Sequence, residues 1–122
     1  MKIFLAEDNE DNYLVIKSNI KKLQTAVELL WARDGQIGIE MLEQENEIDI
    51  FLLDIEMPRI NGVELANWIR SQERFSQKPI IAVTASVFAE MKTMYLKQGF
   101  DCILEKPFAR KELLDMLEKF GV

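Results

Sequence analysis

Five residues of this chain could do chemistry together if the fold gathered them. They are Glu7, Asp8, Asp54, Thr84 and Lys106, and each lies at the end of a short apolar run. Glu7-Asp8 follows Ile3-Phe4-Leu5-Ala6, Asp54 follows residues 48–53, Thr84 follows 80–83, and Glu105-Lys106-Pro107 follows 102–104. Three carboxylates at one place repel. Two like charges about 4 Å apart cost roughly 4 kcal/mol at an effective dielectric near 20. Hard oxygen ligands without His or Cys suit Mg²⁺, which keeps several waters and takes one or two carboxylates. Lys106 could neutralise part of the remaining charge. An acid, a hydroxyl, a lysine and Mg²⁺ are parts for phosphoryl transfer. A carboxylate can act as the nucleophile and become an aspartyl phosphate, while the hydroxyl and the lysine stabilise charge on the equatorial oxygens. Taken singly, these residues have plainer readings: Asp8 and Asn9 would cap a helix well. The four strand ends together carry the chemical one.

Composition narrows the field. The 122 residues include 15 Lys plus Arg, 21 Asp plus Glu, no His and one Cys, for a net charge of −6. The length suits one domain with a core that needs no staples. Without His there is no Ser-His-Asp or Cys-His machinery and no His-ligated metal. One Cys excludes an internal disulfide. A pI near 4.7 argues against a nucleic-acid surface, which needs clustered Lys and Arg. The charge is uneven: residues 1–61 carry 6 basic and 13 acidic side chains, residues 62–122 carry 9 and 8. Glu40, Glu43, Glu45 and Glu47 read as solvated surface. The first apolar run is too short for a signal-peptide core and is stopped by Glu7-Asp8. No run approaches membrane-spanning length. A soluble cytoplasmic protein without membrane insertion is expected.

The elements that must position the five residues follow from periodicity. The apolar runs 3–6, 27–32, 48–53, 80–83 and 102–104 have strand length, and most are rich in Ile, Val, Phe or Leu. Between them apolar residues fall at helical spacing: Tyr13, Ile16, Ile20 and Leu23; Leu65, Ala66 and Ile69; Leu113, Met116, Leu117 and Phe120. Gly35, Gly38, Gly62 and Gly99 mark turns or close packing at helix ends. Five βα units imply parallel strands with right-handed crossovers and helices on both faces. The predicted fold is a single-domain, flavodoxin-like, doubly wound (βα)5 sheet of order 2-1-3-4-5, with Val27, Leu29 and Trp31 on an edge strand. In such sheets the site lies at the carboxyl ends of the strands. No Gly-rich phosphate loop follows the first strand, where Asn9-Glu10-Asp11-Asn12 stands.

From Lys2 to about Phe120 the chain resembles the receiver domain of two-component response regulators, the CheY-like family. Glu7-Asp8-Asn9 resembles its acidic pair. Asp54-Ile55-Glu56-Met57-Pro58 with Gly62 resembles the phosphoacceptor segment D-x-x-M-P-x-x-x-G. Val83-Thr84-Ala85 and Glu105-Lys106-Pro107-Phe108 resemble the switch-hydroxyl and lysine segments. The resemblance implies that Asp54 accepts a phosphoryl group from a phosphohistidine on a partner kinase or histidine phosphotransfer protein. It implies that Asp8, Asp54 and the backbone carbonyl of Glu56 hold Mg²⁺, with Glu7 acting largely through water. Lys106 would pair with the phosphoryl group, its bond to Pro107 would be cis, and Thr84 would swing to a phosphoryl oxygen, pulling the loop after the fourth strand. A chain without His cannot be the donor itself.

Some positions depart from the family pattern. Ile103 stands where an aromatic usually turns inward, so it is expected to pack rather than switch. Glu56 and Ser86 would flank the phosphoryl group and tune its lifetime, Glu56 either adding charge or pairing with Lys106. Residues 9–12 resemble receivers attached to hybrid sensor kinases. Met116 on the fifth helix weakens the case for the dimer of winged-helix regulators, leaving a monomer or weak dimer. On the fourth helix Met94 and Phe88 are expected in the core, with Met91 or Tyr95 exposed as part of a partner surface formed with the fifth strand and helix. Trp68 and Cys102 read as packing residues.

Residues 1–122 are therefore expected to be one receiver with no output domain. It would be a binding switch rather than an enzyme, acting on a downstream protein target. A phosphatase of the haloacid-dehalogenase type uses similar parts. It needs D-x-D at the nucleophile, where Glu56 stands here, and places its acidic pair after the lysine. A degenerate receiver used only for docking would not keep Asp8, Asp54, Thr84 and Lys106 together.

Overall fold

The computed structural model describes residues 1–23, 26–85 and 89–121. The strands are β1 (Lys2–Ala6), β2 (Glu28–Ala32), β3 (Ile50–Asp54), β4 (Ile80–Thr84) and β5 (Cys102–Glu105). They alternate with α1 (Glu10–Ile20), α2 (Gly35–Leu42), α3 (Gly62–Ser71), α4 (Ala89–Lys97) and α5 (Arg110–Lys119). All pairings are parallel, and the order is β2-β1-β3-β4-β5. This is the doubly wound fold that the βα alternation predicts. β2 and β5 are the edges, and for β2 the mixed pattern of 27–32 indicates this.

The sheet has two buried faces because side chains alternate along each strand. Ile3, Leu5, Ile50, Leu52, Ile81 and Val83 share one core with Ile16 and Ile20 of α1 and Leu113 and Leu117 of α5. Phe4, Ala6, Phe51, Leu53, Ile80 and Ala82 share the other with Leu42, Leu65, Ala66, Ile69 and Tyr95. The central strands β3 and β4 are buried at every position. That explains their unbroken apolar runs. It also explains why their polar terminal residues stand out.

The helix starts are fixed chemically. The Asn9 side chain accepts from Asn12 N at 3.0 Å, so the residue after the acidic pair caps α1. Asp34, at the end of β2, caps α2 through Ile37 N at 2.9 Å. Its other oxygen takes Arg59 Nη2 at 2.7 Å, so that acid serves structure at the sheet edge. Asn61 and Glu64 form a capping box at α3. Leu23, expected to continue the first helical stripe, lies beyond the end of α1 and packs half-buried against the core.

Two expectations for α4 are corrected. Tyr95 is only 4 % exposed, whereas Met94 is 45 % exposed. The inward stripe of α4 runs through Met91 and Tyr95 at i and i+4. The Tyr95 ring meets Phe100 edge-on at 6.0 Å. Met94 and Leu96 therefore point outward, and Met91 is half-buried against the core. Ile103 and Trp68 pack half-buried against the same core, as expected of them. Phe88 and Ser86 lie outside the described residues.

Candidate functional site

The site is built where the strands end. Glu7 is the residue after β1, and its carboxylate is fully buried. Oε1 accepts from Asn9 N at 3.2 Å and Asn12 Nδ2 at 3.3 Å. Oε2 accepts from Lys106 Nζ at 3.1 Å. Asp54, the last residue of β3, is 5 % exposed. Its Oδ2 lies 3.4 Å from Lys106 Nζ, and its Oδ1 accepts from Glu56 N at 3.1 Å. Asp8 is exposed at the rim. One oxygen from each of Glu7, Asp8 and Asp54 lies within 4.8 Å of the others. Thr84 ends β4 in a buried position, and its carbonyl accepts from Lys106 N at 2.8 Å. The sheet therefore brings Glu7, Asp8, Asp54 and Lys106 to one opening, with Thr84 at the end of the neighbouring strand.

The electrostatics follow from one lysine facing two buried carboxylates. Burial, and then the charge of Glu7, pushes the Asp54 carboxyl up to about 7, against the opposing pull of Lys106 and the Glu56 N–H. Burial alone would lower the Lys106 ammonium. Asp54 and Glu7 outweigh it and hold the lysine above its ordinary value. The cluster is short of positive charge. A hard divalent cation fits that deficit and the all-oxygen donor set. The opening, about 250 Å³, is lined by the three acids with Asn12, Glu56 and Lys106.

Among the described residues Glu56 makes no ion pair with Lys106. Its side chain is exposed at the opening, which favours the reading that it adds charge there. The Lys106–Pro107 peptide is cis. The sequence reading missed an apolar rim. Leu14 and Val15 on α1 are 49 % and 53 % exposed. Val15 lines a second cavity of about 400 Å³ that runs past Lys106 to Pro107 and Phe108. The signal was present: Tyr13-Leu14-Val15-Ile16 is a run of four apolar residues, more than one helical stripe can bury.

Fold and site together define a doubly wound α/β protein with an acidic, lysine-bearing cleft at its strand ends. The chain belongs to the family described as the response regulator receiver domain, whose pattern matches residues 3–118. It is a receiver of two-component or phosphorelay signalling. The autoinducer 2 sensor kinase/phosphatase LuxQ of Vibrio vulnificus is 33% identical over 120 residues, covering 98% of this chain and 14% of that protein. The aerobic respiration control sensor protein ArcB of Escherichia coli is 33% identical over 121 residues, covering 98% and 15%. The chain thus spans about a seventh of the length of these relatives. Among solved structures, the receiver domain of sensor histidine kinase PA1611 from Pseudomonas aeruginosa superposes with a TM-score of 0.87. It is 31% identical, covers 99% of this chain and 98% of its own, and has a magnesium ion coordinated in its active site cleft. No helix among the described residues is long and apolar enough to cross a membrane.

Proposed function

We propose that Asp54 is the phosphoacceptor of this receiver and that Asp8, Asp54 and the Glu56 carbonyl hold Mg²⁺, with Glu7 acting through water. The observation that carries this reading is the Lys106 ammonium lying within 3.4 Å of both buried carboxylates while Asp8 completes a three-acid cluster. In the reaction an Asp54 oxygen bonds to phosphorus as the bond from phosphorus to the donor imidazole nitrogen breaks. The imidazole leaves neutral after taking a proton. Bound Mg²⁺ supplies positive charge to the acceptor and phosphoryl oxygens. Lys106 is already at the oxygen that would carry the phosphoryl group, and it stabilises the charge that group brings. Thr84, one strand over, supplies the hydroxyl that follows the phosphoryl oxygen and moves the start of the β4–α4 connection. Glu56, exposed at the opening, tunes the lifetime of the group.

The donor is a histidine kinase or a histidine phosphotransfer protein, since this chain has no His. To deliver an imidazole to Asp54 it must cover the rim, where Val15 offers it apolar contact. The downstream protein reads the α4, β5 and α5 face. On α4 the exposed apolar residues are Met94 and Leu96, rather than Tyr95, and Met91 is half-buried. The receiver works in the cytoplasm as a monomer or weak dimer and catalyses only its own phosphorylation and dephosphorylation. The test is incubation with acetyl phosphate and Mg²⁺ followed by intact-mass measurement. One added phosphoryl group is expected for the parent and none for Asp54→Asn. Equal labelling of both would place the nucleophile elsewhere, and multiple turnover of a generic phosphate ester would favour the phosphatase reading.

A further inference from the structure

Trp31 lies on edge strand β2. Its indole Nε1 donates to the backbone carbonyl of Glu7 at 2.8 Å. The Glu7 N–H donates to the Ala32 carbonyl at 3.0 Å. β2 ends at Ala32, and the indole takes the carbonyl beyond that point. The ring does not make this bond alone. It stacks face to face on Tyr13 of α1, with centroids 3.7 Å apart and planes 5° from parallel. Arg33 lies over the Trp31 ring at 5.2 Å, and Lys17 lies over the Tyr13 ring at 5.7 Å. Two aromatic rings and two cations thus hold one N–H in place.

The peptide it holds carries the acidic pair. The turn from Glu7 through Asn9 must keep a buried carboxylate and the exposed Asp8 carboxylate close to Asp54, against their mutual repulsion. On the side-chain side, Glu7 is fixed by Asn9 N, Asn12 and Lys106. On the backbone side, the bonds to Ala32 and to the indole fix it. Partners behind a metal ligand orient it, and their loss typically weakens metal binding about tenfold or more.

We infer that Trp31 is a positioning residue for Mg²⁺ binding: through the Glu7 carbonyl it pre-orders the turn that presents the acidic pair. This rests on the Mg²⁺ site proposed above. Trp31→Phe keeps a flat ring on Tyr13 and removes the N–H. Benzothienylalanine at position 31 keeps the full bicyclic shape and also removes it. Mg²⁺ titration of the parent and both variants by calorimetry, alongside melting in chelator, tests the inference. Both variants are expected to melt cooperatively, close to the parent, and to bind Mg²⁺ about tenfold more weakly. A purely structural indole would lower the melting temperature and leave Mg²⁺ affinity within twofold of the parent, which overturns the inference. If Trp31→Phe does not fold, the isosteric variant decides alone. Should that variant also fail to fold, the N–H is structural and the inference is likewise overturned. A parent that binds Mg²⁺ but takes no phosphoryl group from acetyl phosphate would sink the phosphoacceptor reading while leaving the role of Trp31 intact. A parent that binds no Mg²⁺ would sink both.

Discussion

Asp54→Asn should make the metal-free protein more stable at pH 8, by roughly 2–4 kcal/mol or on the order of 10 °C in melting temperature. The reason is the charge imbalance around Lys106. In the unfolded chain Asp54 loses its proton near 3.8, and in the folded protein near 7. Between those values the folded state holds the extra proton, so stability from this group falls as pH rises from about 4 through about 7 and is level above that. At pH 8 the folded parent carries an ionised, buried Asp54 beside Glu7, with one lysine between them. The Asn variant leaves Lys106 with a single carboxylate at 3.1 Å and an amide oxygen that can still accept from Glu56 N. The gain should shrink toward pH 5, where Asp54 is protonated and neutral in the folded parent. Saturating Mg²⁺ should also narrow the gap by stabilising the parent through binding. Melting both proteins in chelator from pH 5 to 8 checks the argument. A gap that is absent at pH 8, or that does not change with pH, would refute it. The same variant is expected to take no phosphoryl group, so higher stability and inactivity would share one cause.

This coupling of cost and function explains why the site was legible in the sequence. A sheet buried on both faces demands apolar residues at every inner position of β3 and β4. Asp54 and Thr84, buried at the ends of those runs, violate the pattern, and such violations concentrate where a site is built. Glu7 is the same kind of violation on β1. The strand order then followed from the βα alternation and its handedness. Less was legible in α4, where apolar residues lie on two stripes. Met91 stands three residues before Met94 and four before Tyr95, so spacing allows either beside it on the inward face, and packing against Phe100 chooses Tyr95. Contacts between long polar side chains and distant backbone were not legible at all. Arg70 donates to the carbonyls of Ser76, Lys78 and Gly99, and Trp31 reaches Glu7 across 24 residues. Neither leaves a periodic trace, because each depends on where two separate elements come to rest.

Gly62→Ala should destabilise the protein by roughly 2–4 kcal/mol. Gly62 opens α3 and donates its N–H to the Ile55 carbonyl at 3.0 Å. That bond closes the loop between the proposed phosphoacceptor and the helix. A Cβ at this position would overlap the Asp54 carbonyl oxygen and stand 2.8 Å from Ile55 Cα and 2.9 Å from the Asp54 carbonyl carbon. All three are backbone atoms, so no side-chain rotation relieves the clash, and either α3 or the end of β3 must move. The capping box of Asn61 and Glu64 anchors α3, and the ladder to β4 anchors β3. The movement therefore falls on Ile55 and Glu56, whose N–H holds Asp54 Oδ1 and whose carbonyl is the proposed metal ligand. Gly38→Ala is the control. Its added Cβ would meet the far ends of Phe4 and Leu65 at 3.2 and 3.4 Å, side-chain atoms that can give way, and a loss below about 1 kcal/mol is expected. Urea unfolding of the two variants measures the difference, and acetyl phosphate labelling of folded Gly62→Ala should be slower than that of the parent. Equal stabilities for the two variants, or a Gly62→Ala protein labelled at the parental rate, would show that the close approach of α3 to the end of β3 does not shape the site.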